Sequence, residues 1–249
     1  MDKNQKVYGV IMAAGKGTRM NATDIPKVMF PVNGRPMVRY VYDAMRSVAD
    51  EIVMVVGFQG EKIIDEFKDE PVKFVWQKEQ LGTAHSALQA ESLLRGKDGV
   101  VIITNGDHPL YTAASFTDMA QAVMNEGYTL VIRSAVEDKH TSYGRVVRDT
   151  SGRVTGIVEA KDATAEQQAI REKNCGIYVA KADWVWPALK KIQPSSVSEE
   201  YYITDLVELA IKDGEPVEAM PIESPEEISG VNTPEELAEI EAILNSRAQ

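Results

Sequence analysis

Four short apolar runs, at residues 7–13, 52–56, 72–76 and 100–104, alternate with amphipathic segments, and this rhythm limits the fold more than any other feature of the chain. The intervening segments, 36–48, 61–67, 83–94 and 118–124, carry helical spacing; in the first, Val38, Val41, Met45 and Val48 share one face. Strand–helix alternation with short links predicts a parallel sheet wrapped by helices on both sides. Ligands of such sheets sit beyond the carboxyl ends of the strands, so the residues just after each run are the ones to inspect. From residue 128 the rhythm changes. Segments 128–136, 145–148, 154–158 and 176–180 read as strands, with a hairpin signal at Asp149-Thr150-Ser151-Gly152 between the second and third of them. A helix is expected over 202–211 and another over 233–244, where Thr233, Pro234 and Glu236 form a start signal with a capping box. The 249 residues are read as one continuous mixed domain.

The bulk numbers exclude several classes. A net charge of -11 argues against a nucleic-acid or anionic-membrane surface, because both need a basic face. No apolar run approaches membrane-spanning length, and the single cysteine, Cys175, suits a reducing cytoplasm. A polyphosphate ligand is still allowed, since it needs only a local cluster of donors and cations.

Such a cluster follows the first apolar run, in Met12-Ala13-Ala14-Gly15-Lys16-Gly17-Thr18-Arg19-Met20. Small residues and glycines let backbone N–H groups approach phosphate oxygens closely. The turn is neither a dinucleotide fingerprint nor a Walker loop. Lys27 is held between Pro26 and an apolar segment; read as a surface cation, its loss should change stability by only about 0–1 kcal/mol. Gln77 and Gly82 follow the third run and can meet a base, through a side-chain amide and bare backbone respectively. Asn105-Gly106-Asp107 follows the fourth, and a carboxylate there is a natural magnesium ligand. His85 reads as structural or solvated, His140 and the 223–227 acidic stretch as solvated, Cys175 as a small buried core residue, and Trp184 and Trp186 as core or interface anchors.

These motifs do not stand alone. Together with Gln80-Leu81-Gly82-Thr83, Pro109-Leu110, Tyr143-Gly144-Arg145-Val146-Val147-Arg148, Val158-Glu159-Ala160-Lys161-Asp162-Ala163, Asn174-Cys175-Gly176-Ile177-Tyr178, Glu200-Tyr201-Tyr202-Ile203-Thr204-Asp205 and Gly230-Val231-Asn232, they resemble a known domain. It is the uridyltransferase domain of the bifunctional N-acetylglucosamine-1-phosphate uridyltransferase/glucosamine-1-phosphate acetyltransferase family, and the match runs in order from about residue 7 to 245. The resemblance implies an α/β, Rossmann-like nucleotidyltransferase fold with a mixed, mostly parallel sheet. Residues 7–127 would form a nucleotide-binding part, 128–231 a sugar-binding part and 232–249 a C-terminal helix. It implies that UTP and a sugar 1-phosphate, N-acetylglucosamine 1-phosphate first, are joined with Mg2+ and pyrophosphate is released, the alternative being the same chemistry with another sugar 1-phosphate or with dTTP. Arg19 and Lys27 would act on the triphosphate. Met12, Ala13, Ala14, Gly15, Gln77, Gly82, Thr83, Asn105 and Gly106 would hold the nucleotide. Gly144, Glu159 and Asn174 would hold the sugar, with Lys161 a further contact to its phosphate. Asp107 and Asn232 would ligate the metal.

The chain departs from the family's pattern at two positions, with Asn105 where an aromatic residue is common and an unusual His108 beside the metal aspartate. The left-handed β-helix of the bifunctional enzymes is absent from these residues, so acetyl transfer is not expected. A homo-oligomer is left open. A glycosyltransferase of similar fold would call for a DxD-type pair, which Asp107-His108-Pro109 does not supply. A regulatory protein that had lost catalysis would be expected to lack Arg19, Lys27 or Asp107.

Overall fold

The computed structural model describes residues 5–17 and 24–247; Arg19 lies outside them. β1 (Lys6–Ala13) is followed by a small hairpin of β2 (Pro31–Val32) and β3 (Arg35–Pro36), then α1 (Met37–Arg46), β4 (Glu51–Val56), α2 (Gly60–Glu66) and β5 (Val72–Trp76). Next come α3 (Thr83–Leu88), α4 (Glu91–Leu94), β6 (Gly99–Asn105), α5 (Ala114–Asn125) and β7 (Leu130–Val136). The remainder comprises β8 (Arg145–Arg148), β9 (Val154–Val158), α6 (Ala165–Gln168), β10 (Glu172–Lys181), α7 (Ala182–Leu189), α8 (Asp205–Lys212), β11 (Val217–Pro221) and α9 (Pro234–Arg247).

The main sheet runs β11-β7-β10-β6-β1-β4-β5, with β8 and β9 attached beside β10. β1 pairs parallel with both β4 and β6, β4 with β5, and β7 with β11. β10 pairs antiparallel with β6 and β7, so it alone runs against the other strands of that seven-strand path. The mixed, mostly parallel sheet expected from the sequence is therefore present. Burial on both faces explains why the β1 run is apolar throughout. Its residues alternate: Tyr8, Val10 and Met12 pack beneath α3, α4, α7 and α8. Val7, Ile11 and Ala13 pack beneath α1, α2 and α5 on the opposite face. A smaller cluster of Val32, Met37, Leu110, Val231 and Ile240 docks α9 beside the β2–β3 hairpin.

The helix expected over 83–94 is broken in two. Gln89 Nε2 donates to the His85 carbonyl at 2.9 Å, and the Gln89 backbone N–H turns instead to the Ser86 carbonyl. That exchange of partner replaces an α turn by a tighter one. The capping box at the last helix forms: the Glu236 N–H donates to Thr233 Oγ1 at 3.3 Å and the Thr233 N–H to Glu236 Oε2 at 3.0 Å. No helix among the described residues is long and apolar enough to cross a membrane.

Candidate active site

The ends of β1, β5 and β6 open on the same edge of the sheet and form a cavity of about 300 Å³. Met12, Ala14 and Gly15 line it from the first turn, and Gln77, Gly82 and Thr83 from the loop after β5. Lys27, Asn105 and Asp107 complete its inner end. Ala13 and Gly106 do not line it. Ala13 is buried in the core beneath, and Gly106 ties β6 back to β1 by donating its N–H to the Met12 carbonyl at 2.9 Å. A second cavity, of about 220 Å³, adjoins the first and is lined by Gly144, Glu159, Asn174 and Asn232. Thr83, Asn105 and Asp107 border both, so the two hollows meet at the Asp107 carboxylate.

At that junction Lys27 Nζ donates to Asp107 Oδ2 and, at 2.8 Å, to Asn232 Oδ1. Each partner is delivered by local structure. Pro26 starts a single 3-10 turn whose Val28 is buried, leaving Lys27 directed toward the cavity. The Val231 N–H donates to the Asp107 carbonyl at 3.0 Å and draws the 229–232 segment alongside. Because Thr233 caps α9, the Asn232 side chain is free for the site. His108 Nδ1 lies 2.7 Å from Asp107 Oδ1, and its ring stacks on Tyr111. Burial alone would push the Asp107 carboxyl up, but the Lys27 ammonium and the hydrogen-bonding His108 ring beside it outweigh burial and hold the group well below the usual carboxylate range. Asp107 is thus a carboxylate at any ordinary pH.

The structure corrects the reading of Lys27 as a surface cation: its side chain is 13% exposed and that of Asp107 17%. His140, expected to be solvated, is tucked against Glu137 and Tyr143 with a side chain only 10% exposed. Cys175 and Trp186 are core residues as expected.

On the second cavity, Asn174 Nδ2 donates to the Tyr178 hydroxyl at 2.7 Å and Asn174 Oδ1 accepts from the Gly176 N–H at 3.2 Å. Gly176 has φ +77°, and a Cβ there would lie 2.8 Å from Asn105 Nδ2, so Asn105 rests against bare backbone. Glu159 Oε1 accepts from the Thr204 hydroxyl at 3.0 Å. Tyr178, Tyr202 and Thr204 line this cavity without having been assigned a role from the sequence, and Gln80, Ser86 and Glu200 line the first. The 200–205 motif was a signal for Glu200, Tyr202 and Thr204, and the 174–178 motif for Tyr178.

Burial raises the Glu159 carboxyl, with Thr204 opposing it. Nearby Asp205 is pushed up to about 6 by burial and by Glu208, Glu159 and Asp162. A carboxyl with a raised folded value contributes most below its unfolded value of about 3.9, and that contribution is lost as pH rises through the folded one. Asp205→Asn is therefore expected to stabilise the protein at pH 8 by about 1–2 kcal/mol and to give no gain at pH 3. Urea titrations at the two pH values check this, and an equal effect at both would discard it.

Two hollows that meet at one carboxylate–lysine–amide cluster suit a transferase with two substrates, and the sheet that carries them has the nucleotidyltransferase fold. A solved structure described as UDP-glucose pyrophosphorylase complexed with UDP-glucose superposes with a TM-score of 0.78, covering 98% of this chain and 100% of that one. At 17% identity the likeness shows the fold alone. A family model for the MobA-like NTP transferase domain matches residues 9–194, and the chain belongs to that family. Relatives named bifunctional protein GlmU are 41% identical over 239 residues in Pelotomaculum thermopropionicum and 42% over 239 in Thermus thermophilus. One from Geobacillus sp. is 39% identical over 243 residues. These alignments cover 96–97% of this chain and 52% of each relative, so the chain spans about half the length of the curated relatives it matches. The resemblance to the uridyltransferase domain of the bifunctional enzymes, drawn from scattered motifs, is thus matched by identity along nearly the whole chain.

Proposed function

We propose that the protein joins UTP to a sugar 1-phosphate, N-acetylglucosamine 1-phosphate first among them, forming the UDP-sugar and pyrophosphate. The observation that carries this reading is the meeting of the two cavities at Asp107. In the reaction, a phosphate oxygen of the sugar phosphate attacks the α-phosphorus of UTP, and the bond to the pyrophosphate oxygen breaks. The nucleophile is already an anion, so no strong general base is needed. The site must instead relieve repulsion between anions, hold the reactants in line and stabilise the leaving group.

Residues 7–127 would supply the nucleotide cavity and 128–231 most of the sugar cavity, with Asn232 closing the site. The Met12–Gly15 turn supports the phosphates from the backbone, with Lys27 and Arg19 as their cations. Gly144, Glu159 and Asn174 orient the sugar, Glu159 accepting from its hydroxyls. Asp107 and Asn232 offer one carboxylate and one amide oxygen that already converge on a single cation, the Lys27 ammonium. Hard oxygen donors of this kind fit Mg2+, which takes its remaining ligands from water and phosphates. The ion, when bound, supplies charge neutralisation at the phosphates. A second reading keeps the chemistry and changes the sugar, and Asn105 at the cavity junction favours it.

Four nucleoside triphosphates crossed with a panel of sugar 1-phosphates, read by phosphate release after adding pyrophosphatase, test the proposal. UTP with N-acetylglucosamine 1-phosphate should give the largest signal. dTTP should be weakly accepted, because a methyl group allows only ~1–3 kcal/mol of steric discrimination. A preference for ATP or GTP, or no signal with any pair, would refute it.

A further inference from the structure

The Gln77 side chain is buried at 3% exposure and lines the nucleotide cavity. Its Nε2 lies 3.1 Å from the Gly82 carbonyl and 3.1 Å from His85 Nδ1. A carbonyl oxygen only accepts, so the atom facing Gly82 must be the amide NH2 and not the amide oxygen. The second N–H of that group then points to His85 Nδ1, which must accept. The ring proton of neutral His85 therefore sits on Nε2. Both amide hydrogens are taken, and Gln77 Oε1 has no protein partner among the described residues. Gln77 therefore meets a ligand as an acceptor only.

That polarity matters for the base. Uracil offers a ring N–H at position 3, whereas cytosine has a bare acceptor nitrogen there. An amide free to rotate by 180° would serve either base, since it could present oxygen to one and NH2 to the other. We propose that His85, through the Nδ1 acceptor that helps lock Gln77, is a positioning residue for discrimination of uridine from cytidine nucleotides. The inference rests on the uridine reading above. His85 lies on the first turn of α3, is not among the residues lining the cavity, and would act through Gln77 alone.

The test compares kcat/KM for UTP and for CTP, with one sugar 1-phosphate, in the wild type, His85→Ala and His85→Asn. Asn places an oxygen acceptor close to where Nδ1 stands. Losing one hydrogen bond that fixes the amide should reduce the UTP:CTP ratio about tenfold in His85→Ala, and His85→Asn should restore it to within roughly threefold of the wild type. Thermal melting of each variant shows that it is folded, and a merely structural role would lower both rates together and leave their ratio unmoved. An unchanged ratio in folded His85→Ala overturns the inference while leaving the uridine reading intact. So does His85→Asn behaving like His85→Ala. A wild type indifferent to the two nucleotides overturns both.

Discussion

Asp107→Asn is expected to lower turnover by about three orders of magnitude, because it removes the carboxylate charge at the point where the two cavities meet. The side chain would keep its shape and could still accept a hydrogen bond, so the loss would isolate charge from geometry. Lys27 would also face a neutral partner. The magnesium titration should move to higher concentration, and turnover should stay low even at saturation. Stability carries a second signature. A depressed carboxyl contributes stability that is present above the unfolded value of about 3.9 and fades as pH falls below it. The difference in stability between wild type and variant should therefore be largest near neutral pH and shrink on acidification below about pH 4. Kinetics over a magnesium series and urea titrations at two pH values measure both. Wild-type activity that persists in excess EDTA, or an unchanged magnesium titration in the variant, would remove Asp107 from the metal site.

Lys27→Ala should lower turnover by roughly two to three orders of magnitude, the usual cost of losing one preorganised donor to developing charge. Unlike the loss of a surface cation, it should also destabilise the fold. With both partners mostly buried, removing Lys27 leaves a desolvated carboxylate whose remaining side-chain partner among the described residues is His108. Breaking such a pair costs up to about 3–5 kcal/mol, and the partial exposure here places the expected loss toward the lower end. Lys27→Arg should recover part of the stability and little of the turnover, since a planar fork cannot reproduce a point charge between two converging oxygens. A Lys27→Ala variant with near-normal turnover would mean that the phosphates bind elsewhere.

β1, β4 and β6 were legible because burial on both faces forces a continuous apolar run, and the edge strand β5, with no fully buried residue, was legible from its β-branched and aromatic side chains; all four could be read from the sequence within a residue at each end. β11 was not. Its five residues include Glu218 and Pro221 and are strand only because β7 offers an edge to pair with. α7 was hidden by Pro187, which interrupts the helical pattern but is tolerated because Val185, Trp186 and Leu189 are buried around it. The site divides in the same way. The loops at strand ends carry local signatures, small residues and a placed lysine or aspartate, and those could be read. The bonds that aim the side chains are different. Asn174 with Tyr178 crosses a bulge in β10, Glu159 with Thr204 joins segments 45 positions apart, and Gln77 with His85 depends on where a helix starts. Such pairings follow from tertiary placement and leave no periodic trace in the chain.

The Lys27–Asn232 contact spans 205 positions, and both residues border the same few ångströms of space. Closing so long a loop contributes nothing until most of the intervening sheet exists, because its entropy must be met by contacts made elsewhere. The parallel pairings of β1 with β4 and β6 are themselves non-local, and such topologies fold slowly. The cation pocket is therefore among the last features of the molecule to assemble. A partly folded chain with every helix formed would still lack it. During synthesis, the residue that completes the pocket leaves the ribosome only after the whole sheet has emerged, so the Lys27 cluster and the finished fold arrive together.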